Sequence, residues 1–293
     1  MRILISGSTG FLGNALVELL QQGGHTVVRL VRDSHHAGLL WDPYARSIDR
    51  SRLHGFDAVI NLSGESISGR WTASKKREIL RSRIETGNFL VELISEMKQK
   101  PSVYLSASAI GYYGDRSDEV LTESSAPGSD FLADVCKQWE AVSKPLETQG
   151  LRVIRMRTGL VLSPKGGALQ QLLLPFKLGA GGPVGSGRQW WSWIDFDDQI
   201  RAYEFALTNE KISGAVNGTA PNPVTNKEFV KALGKALSRP SFMPLPSFAV
   251  KLLLGEMGEG LLLGSQRVEP KALVNSGFEF GQTEIEKCFR KLL

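Results

Sequence analysis

Short apolar runs alternate with amphipathic stretches from the first residues of the chain, and this alternation predicts its architecture. RILIS (2–6) reads as a buried strand and FLGNALVELLQQG (11–23) as the helix that follows it. TVVRLV (26–31) and DAVINL (57–62) repeat the strand signal, residues 75–99 carry a long amphipathic helix, and VYLSAS (103–108) is a further strand. In GSDFLADVCKQWE (128–140), Asp130 stands where a helix cap is needed, and Phe131, Leu132, Val135, Trp139 and Val142 approximate one apolar stripe. A helix is therefore expected over 131–149, followed by the strand RVIRMR (152–157). Strands separated by helices in this way predict an α/β fold, a doubly wound parallel sheet with helices on both faces.

The texture changes after residue 163. Glycines and aromatics crowd GALQQLLLPFKLGAGGPVGSGRQWWSWIDFDD (167–198), and RPSFMPLPSF (239–248) is rich in proline. Residues 1–163 are read as the α/β domain, with 194–210 packing back on it. Residues 164–193 and 211–293 are read as a small, mainly helical lobe on the substrate side.

Composition narrows the partners. Of 293 residues 42% are hydrophobic, and 35 basic against 30 acidic residues leave a net charge of +5 on a mixed surface. The densest basic run, KKREILRSR (75–83), keeps helical spacing and contains Glu78, so nucleic-acid binding is not expected. The apolar segment 248–264 is cut by Lys251, Glu256 and Glu259, which argues against a membrane span, and MRILISG opens as a strand with no leader pattern. Cys136 and Cys288 match no zinc spacing and fit reduced thiols, so a cytoplasmic protein is expected.

The clearest chemistry lies in ILISGSTGFLGNAL (3–16), where a strand runs into Gly7-x-x-Gly10-x-x-Gly13 and a helix opens. Gly7 permits the tight turn, Gly10 lets backbone approach a pyrophosphate, and Gly13 lets helix and strand pack closely. Phosphates then lie among the unpaired N–H groups at the helix start. The second strand ends in Arg32 and then Asp33. A guanidinium there suits a ribose 2′-phosphate, which favours NADP over NAD; the alternative is a solvated Arg32 with Asp33 on the ribose.

On these and further motifs the chain resembles the extended short-chain dehydrogenase/reductases, in particular their atypical NADP-binding, nucleoside-diphosphate-sugar epimerase-like branch. The motifs include STGFLG (8–13), WDP (41–43), DAVINLSGE (57–65), SRIET (82–86), SASAIGYYG (106–114), FLADVCKQWE (131–140), WIDFDD (193–198) and NGTAPNPVTN (217–226). The resemblance implies a Rossmann domain that holds NADP through Thr9, Phe11 and Leu12 beside the three glycines. It also implies contacts from Leu62, Ser63 and Gly64 after the fourth strand, Glu78 and Arg83 on the next helix, Ser106, and Val161 toward the nicotinamide. A homodimer through the helices at 75–99 and 131–149 is a further implied possibility.

That family carries a Tyr and, four residues later, a Lys that lowers the phenol pKa. Here the matching helix holds Leu132 and Cys136 at those positions. Ser108 is the match to the family's polarising hydroxyl, and Tyr112 is a candidate proton donor; Tyr112 and Tyr113 equally suit aromatic packing at the turn. Trp190, Trp191 and Trp193 suit either a flat ligand or packing between lobes, and Gly179–Gly187 a flap over the site. Asp195 stands where relatives often have His. Two functions follow: an NADP(H)-dependent oxidoreductase or epimerase-like enzyme on a carbonyl or alcohol, or an NADP(H)-binding sensor without turnover.

Overall fold

The computed structural model describes all 293 residues. Its first half runs β1 (Arg2–Ser6), α1 (Phe11–Gln22), β2 (Thr26–Val31), β3 (Leu39–Asp42), β4 (Ser47–Ile48), β5 (Ala58–Asn61), α2 (Ala73–Glu96), β6 (Val103–Ala109), β7 (Val120–Leu121), α3 (Phe131–Ala141) and α4 (Lys144–Thr148). Then follow β8 (Arg152–Thr158), β9 (Leu160–Leu162), α5 (Gly167–Lys177), β10 (Trp190–Trp191), β11 (Trp193–Asp195), α6 (Phe196–Thr208) and β12 (Gly214–Gly218). The chain closes with β13 (Val224–Thr225), α7 (Asn226–Ala236), α8 (Ser247–Gly258), β14 (Arg267–Val268), α9 (Lys271–Asn275) and α10 (Ile285–Leu292).

The main sheet has eight strands in the order β12-β8-β6-β5-β1-β2-β3-β4, parallel except for the β3–β4 hairpin. From β1 the chain builds outward through β2 and β3, then returns to place β5 on the other side of β1. The strand order therefore reverses between β1 and β5, and a crevice opens beyond their C-terminal ends, the usual ligand position in such sheets. Ile3, Ile5, Leu16, Val17 and Leu20 join Tyr203 and Leu207 in a core on the α1/α6 face. Leu4, Val59, Phe89, Leu90, Leu93 and Tyr104 fill the face covered by α2.

Two expectations change. The helix expected over 131–149 stops at Ala141, because Pro145 lacks an N–H and the chain turns through Val142 and Ser143 before α4. At this turn the Glu140 carbonyl accepts from Ser143 N (3.4 Å), Arg155 Nε (3.1 Å) and Ser143 Oγ (3.0 Å). The range 211–293 also divides: β12 is the edge strand of the main sheet, and Leu273 and Phe278 pack into the α1/α6 core. The lobe has its own core around Leu162, Phe176, Trp191, Trp193, Phe229 and Phe289. The glycine-rich stretch read as a flap is pinned along 181–185 by backbone bonds from Met243 to Gly181, Leu245 to Pro183 and Gly185 to Leu245. No helix is long and apolar enough to cross a membrane.

Candidate functional site

The glycine turn sits at the mouth of the crevice. Gly7 has φ +70°, and a Cβ there would lie 2.5 Å from the Leu62 carbonyl carbon, so the turn presses directly on the end of β5. A Cβ on Gly13 would lie 2.1 Å from the Gly7 oxygen. Helix α1 can meet its strand this closely only because both positions lack side chains. Gly10 caps α1 with no side-chain acceptor, leaving the first-turn N–H groups, beside exposed Thr9 and Phe11, open to an anion. The Ser8 hydroxyl in the same turn is fully buried and unsatisfied. Phe11 packs on Phe196 (4.7 Å between ring centres) and against Gly166, while Leu12 is half-buried against the α1/α6 core.

Asn61 fixes the other wall. Its Oδ1 accepts from Ser6 Oγ (2.8 Å) and from Ser63 N (3.1 Å), tying β1 to the Leu62-Ser63-Gly64 loop. Its amide donates to the Tyr104 hydroxyl at 3.2 Å. Arg83 reaches this loop from α2. Its Nη1 donates to the Glu65 carbonyl (3.0 Å) and the Ile79 carbonyl (2.9 Å), and its guanidinium stacks 4.8 Å from the Trp139 ring. A Cβ on Gly64 would come within 3.2 Å of that guanidinium carbon. Burial pulls the Arg83 pKa down against the pull of Cys136 and Glu65, whose carboxylate is itself paired with Lys75.

At the tip of β2, Arg32 is exposed and forms no ion pair, whereas Asp33 accepts from His36 Nδ1 (2.9 Å) and His35 N (3.0 Å). Asp33 is thus folded into its own turn, which favours the arginine as the ligand group of the two. Tyr44, which the sequence reading passed over, joins this corner. Its hydroxyl donates to Glu78 Oε1 at 3.2 Å, and Arg81 stacks 4.6 Å from its ring. Desolvation and the Glu78 carboxylate raise the Tyr44 pKa, against the pull of Arg32 and Arg81. The signal available in the sequence was its position directly after the WDP motif (41–43). Val161 lies half-exposed on β9, paired with Ile194 of β11.

The region that carries the family's Tyr, Lys and Ser positions is a buried ionic network, and Ser108, the match to the polarising hydroxyl, is one of its members. Ser108 Oγ donates to Glu140 Oε1 at 2.7 Å. Arg157 on β8 binds both oxygens of the same carboxylate, Nε to Oε1 and Nη2 to Oε2 at 2.8 Å each. A hydroxyl whose proton is held by a carboxylate has none left to polarise a substrate oxygen. Tyr113 is also engaged, accepting from Arg157 Nη1 (3.0 Å) and donating to Asn217 Oδ1 (2.6 Å). Burial pushes its pKa up to about 12. Ser106 turns back to the Ala107 carbonyl at 3.0 Å. Tyr112 is half-buried under the Arg157 guanidinium, 3.4 Å from its ring centre, and its hydroxyl bonds to no protein group.

Cys136 is enclosed beneath Gly111, and burial, with the Glu140 carboxylate adding, pushes its thiol up to about 12 despite Arg83 nearby. The native protein at pH 8 is expected to give no thiol reaction at Cys136 with a disulfide reagent, and denaturation to release it. Rapid native labelling there, read by peptide mass, would contradict this burial.

The tryptophans divide. Trp191 packs edge-on to Phe229 (5.0 Å) and Trp193 donates to the Asn222 carbonyl (3.0 Å), both inside the lobe core. Trp190 alone is half-exposed, held by Asp118 (2.9 Å) and stacked by Arg267. Asp195 caps α6 through the N–H groups of Asp197 and Asp198, with Lys291 Nζ 3.0 Å away, so it is a structural anchor. A cavity of about 680 Å³ lies at the opposite edge of the sheet, among Met1, Asp57, Ser102 and Arg152 at or beside the strand starts. Its Arg152 is occupied by the carbonyls of Ala206, Leu207, Asn209 and Ile212, and ligands of such sheets bind at the other edge.

Comparison with known proteins agrees with this fold. An epimerase family protein of Mycobacterium tuberculosis is 41% identical over 287 residues, covering 97% of this chain and 94% of that one. The crystal structure of human epimerase family protein SDR39U1 (isoform 2) with NADPH matches with a TM-score of 0.92 at 34% identity, covering 100% and 99% of the two chains. A nucleoside-diphosphate sugar epimerase from Corynebacterium glutamicum matches at a TM-score of 0.82 and 37% identity, with this chain spanning 58% of its length. Residues 245–292 match a domain of unknown function. Residues 3–217 match the model of the NAD dependent epimerase/dehydratase family, and the chain belongs to that family.

Proposed function

We propose that the chain binds NADP(H) in the crevice between β1 and β5 and is an oxidoreductase-type member of its family, acting on a carbonyl or alcohol. The observation that carries the cofactor is the combination at that edge: an α1 terminus without a side-chain cap, and an unpaired Arg32 at the tip of β2 while Asp33 is engaged elsewhere. The human relative solved with NADPH supports the same reading. Bound there, the cofactor supplies hydride chemistry. The chain's own part is to cradle the pyrophosphate at Gly7–Gly13, hold the adenosine end near Arg32, Tyr44 and Glu78, and flank the nucleotide with Ser63, Gly64 and Arg83. Tyr112 or water moves the proton, since Ser108 and Tyr113 are committed to Glu140, Arg157 and Asn217. That commitment favours the second reading, an NADP(H)-binding sensor, to the extent that turnover needs a protein acid.

Fluorescence titration tests the cofactor assignment. Arg32→Ala is expected to weaken NADPH by about 10- to 100-fold, the loss of one charge-assisted contact of roughly 1.5–3 kcal/mol, and to leave NADH within about twofold. Equal affinity of the unaltered protein for NADPH and NADH would overturn the role of Arg32. A screen of carbonyl compounds for NADPH oxidation then separates enzyme from sensor.

A further inference from the structure

We propose that the cleft between α3 and the C-terminal lobe takes a neutral or cationic aromatic carbonyl compound, and that it excludes nucleoside-diphosphate sugars. The inference rests on the NADP(H) reading above and names the substrate class for the same site. Leu132, in the first turn of α3, packs toward Gly111 just beyond β6, so the cleft opens at the sheet edge that carries the glycine turn.

One part of its lining is apolar and aromatic, and the rest is charged or polar. Trp71 and Phe131 meet edge-on at 5.1 Å, and Leu132 and Leu263 are the other apolar side chains of the lining. The free volume is about 340 Å³, near the lower limit of ligand pockets at about 300 Å³. One substituted ring system fits that space better than a base, two sugars and a diphosphate.

The charges point the same way. Asp115, Asp130, Glu256 and Glu259 line the cleft against a single lysine, Lys251. Lys251 is already paired with Glu259, and the nearby Lys76 pairs with Glu256 while its ammonium lies 4.8 Å from the Phe131 ring. No lining cation is therefore left to meet a diphosphate. A diphosphate would enter a field of its own sign, whereas a neutral ring keeps the aromatic contact and a cationic substituent gains from the carboxylates.

The test uses protein saturated with NADP⁺, which leaves an aldehyde no hydride to take. A fluorescence titration with NADPH on the same preparation comes first; failure there removes the cofactor reading and this inference with it. Three benzaldehydes of similar size, carrying a para trimethylammonium, tert-butyl or carboxylate group, are then titrated by calorimetry beside UDP-glucose. The expected order of affinity is ammonium, then tert-butyl, then carboxylate, with at least about tenfold between the extremes at low salt. The gap should narrow near 1 M salt, where the screening length falls to about 3 Å. UDP-glucose is expected to give no binding heat, and Glu256→Gln to narrow the gap between ammonium and carboxylate. With NADPH binding intact, tighter binding of UDP-glucose than of the tert-butyl aldehyde, equal binding of ammonium and carboxylate, or binding of no aldehyde would each overturn the proposal.

Discussion

Gly13→Ala is expected to destabilise the protein by about 3 kcal/mol or more and to remove measurable NADPH binding. The added carbon would lie 2.1 Å from the Gly7 oxygen and 2.9 Å from both the Gly7 carbonyl carbon and Ser8 Cα, all backbone atoms of the turn. No side-chain rotation relieves such a contact, so α1 must move away from β1. That movement opens the core in which Leu16, Val17 and Leu20 pack against Ile3 and Ile5. Gly10→Ala is the informative partner. Its Cβ would meet only the Gly7 oxygen, at 3.2 Å, and otherwise open space. Stability should stay within about 1 kcal/mol of the unaltered protein, since the position is a helix cap with no side-chain bond to lose. NADPH affinity should nevertheless fall at least about tenfold if a pyrophosphate lies against that backbone. Chemical denaturation and fluorescence titration on the pair separate the two roles. A Gly10→Ala protein with unchanged NADPH affinity would reduce the turn to architecture.

The contrast between these glycines marks what the sequence could disclose. Gly7, Gly10 and Gly13 act on backbone within one strand-turn-helix, so the constraint and the residues that express it are adjacent in the chain. The same holds for Arg32 at a strand tip and for Asp130, whose carboxylate caps α3 by accepting from Ala133 N at 2.8 Å. Pairings between distant elements were not legible. Glu140 lies on α3, and nothing local says that Arg157 on β8 and Ser108 on β6 converge on it. The edge strand β12 reads GAVNG, with glycine at both ends, and is a strand because β8 offers it a full parallel register from Ile154 to Thr158. Tyr44 gains its place only when α2 brings Glu78 and Arg81 over the end of β3. The helix break was different: Pro145 was visible, but the apolar stripe continuing to Val142 masked it.

Glu140→Ala is expected to cost about 3–5 kcal/mol, the largest loss among single side-chain truncations in the ionic network. Glu140 and Arg157 are 10% and 5% exposed, so removing the carboxylate leaves a guanidinium enclosed without its counter-charge. The Tyr113 hydroxyl and the Glu123 carbonyl, both bonded to Arg157, are neutral acceptors and offset little of that. Ser108→Ala removes one hydrogen bond to a charged acceptor and is expected to cost less, about 1.5–3 kcal/mol. Replacing both ions by apolar groups, as in Glu140→Leu with Arg157→Met, should recover much of the Glu140→Ala loss, because no charge is then left buried. Denaturant midpoints with unchanged slopes would report these differences as stability alone. The decisive comparison is with cofactor binding. If Glu140, Arg157 and Ser108 form a strut that holds α3 against the sheet, Ser108→Ala loses stability and keeps its NADPH affinity. A Ser108→Ala protein of full stability that no longer processes a carbonyl substrate would instead return that serine to the chemistry, and the network would have to open during turnover to release it.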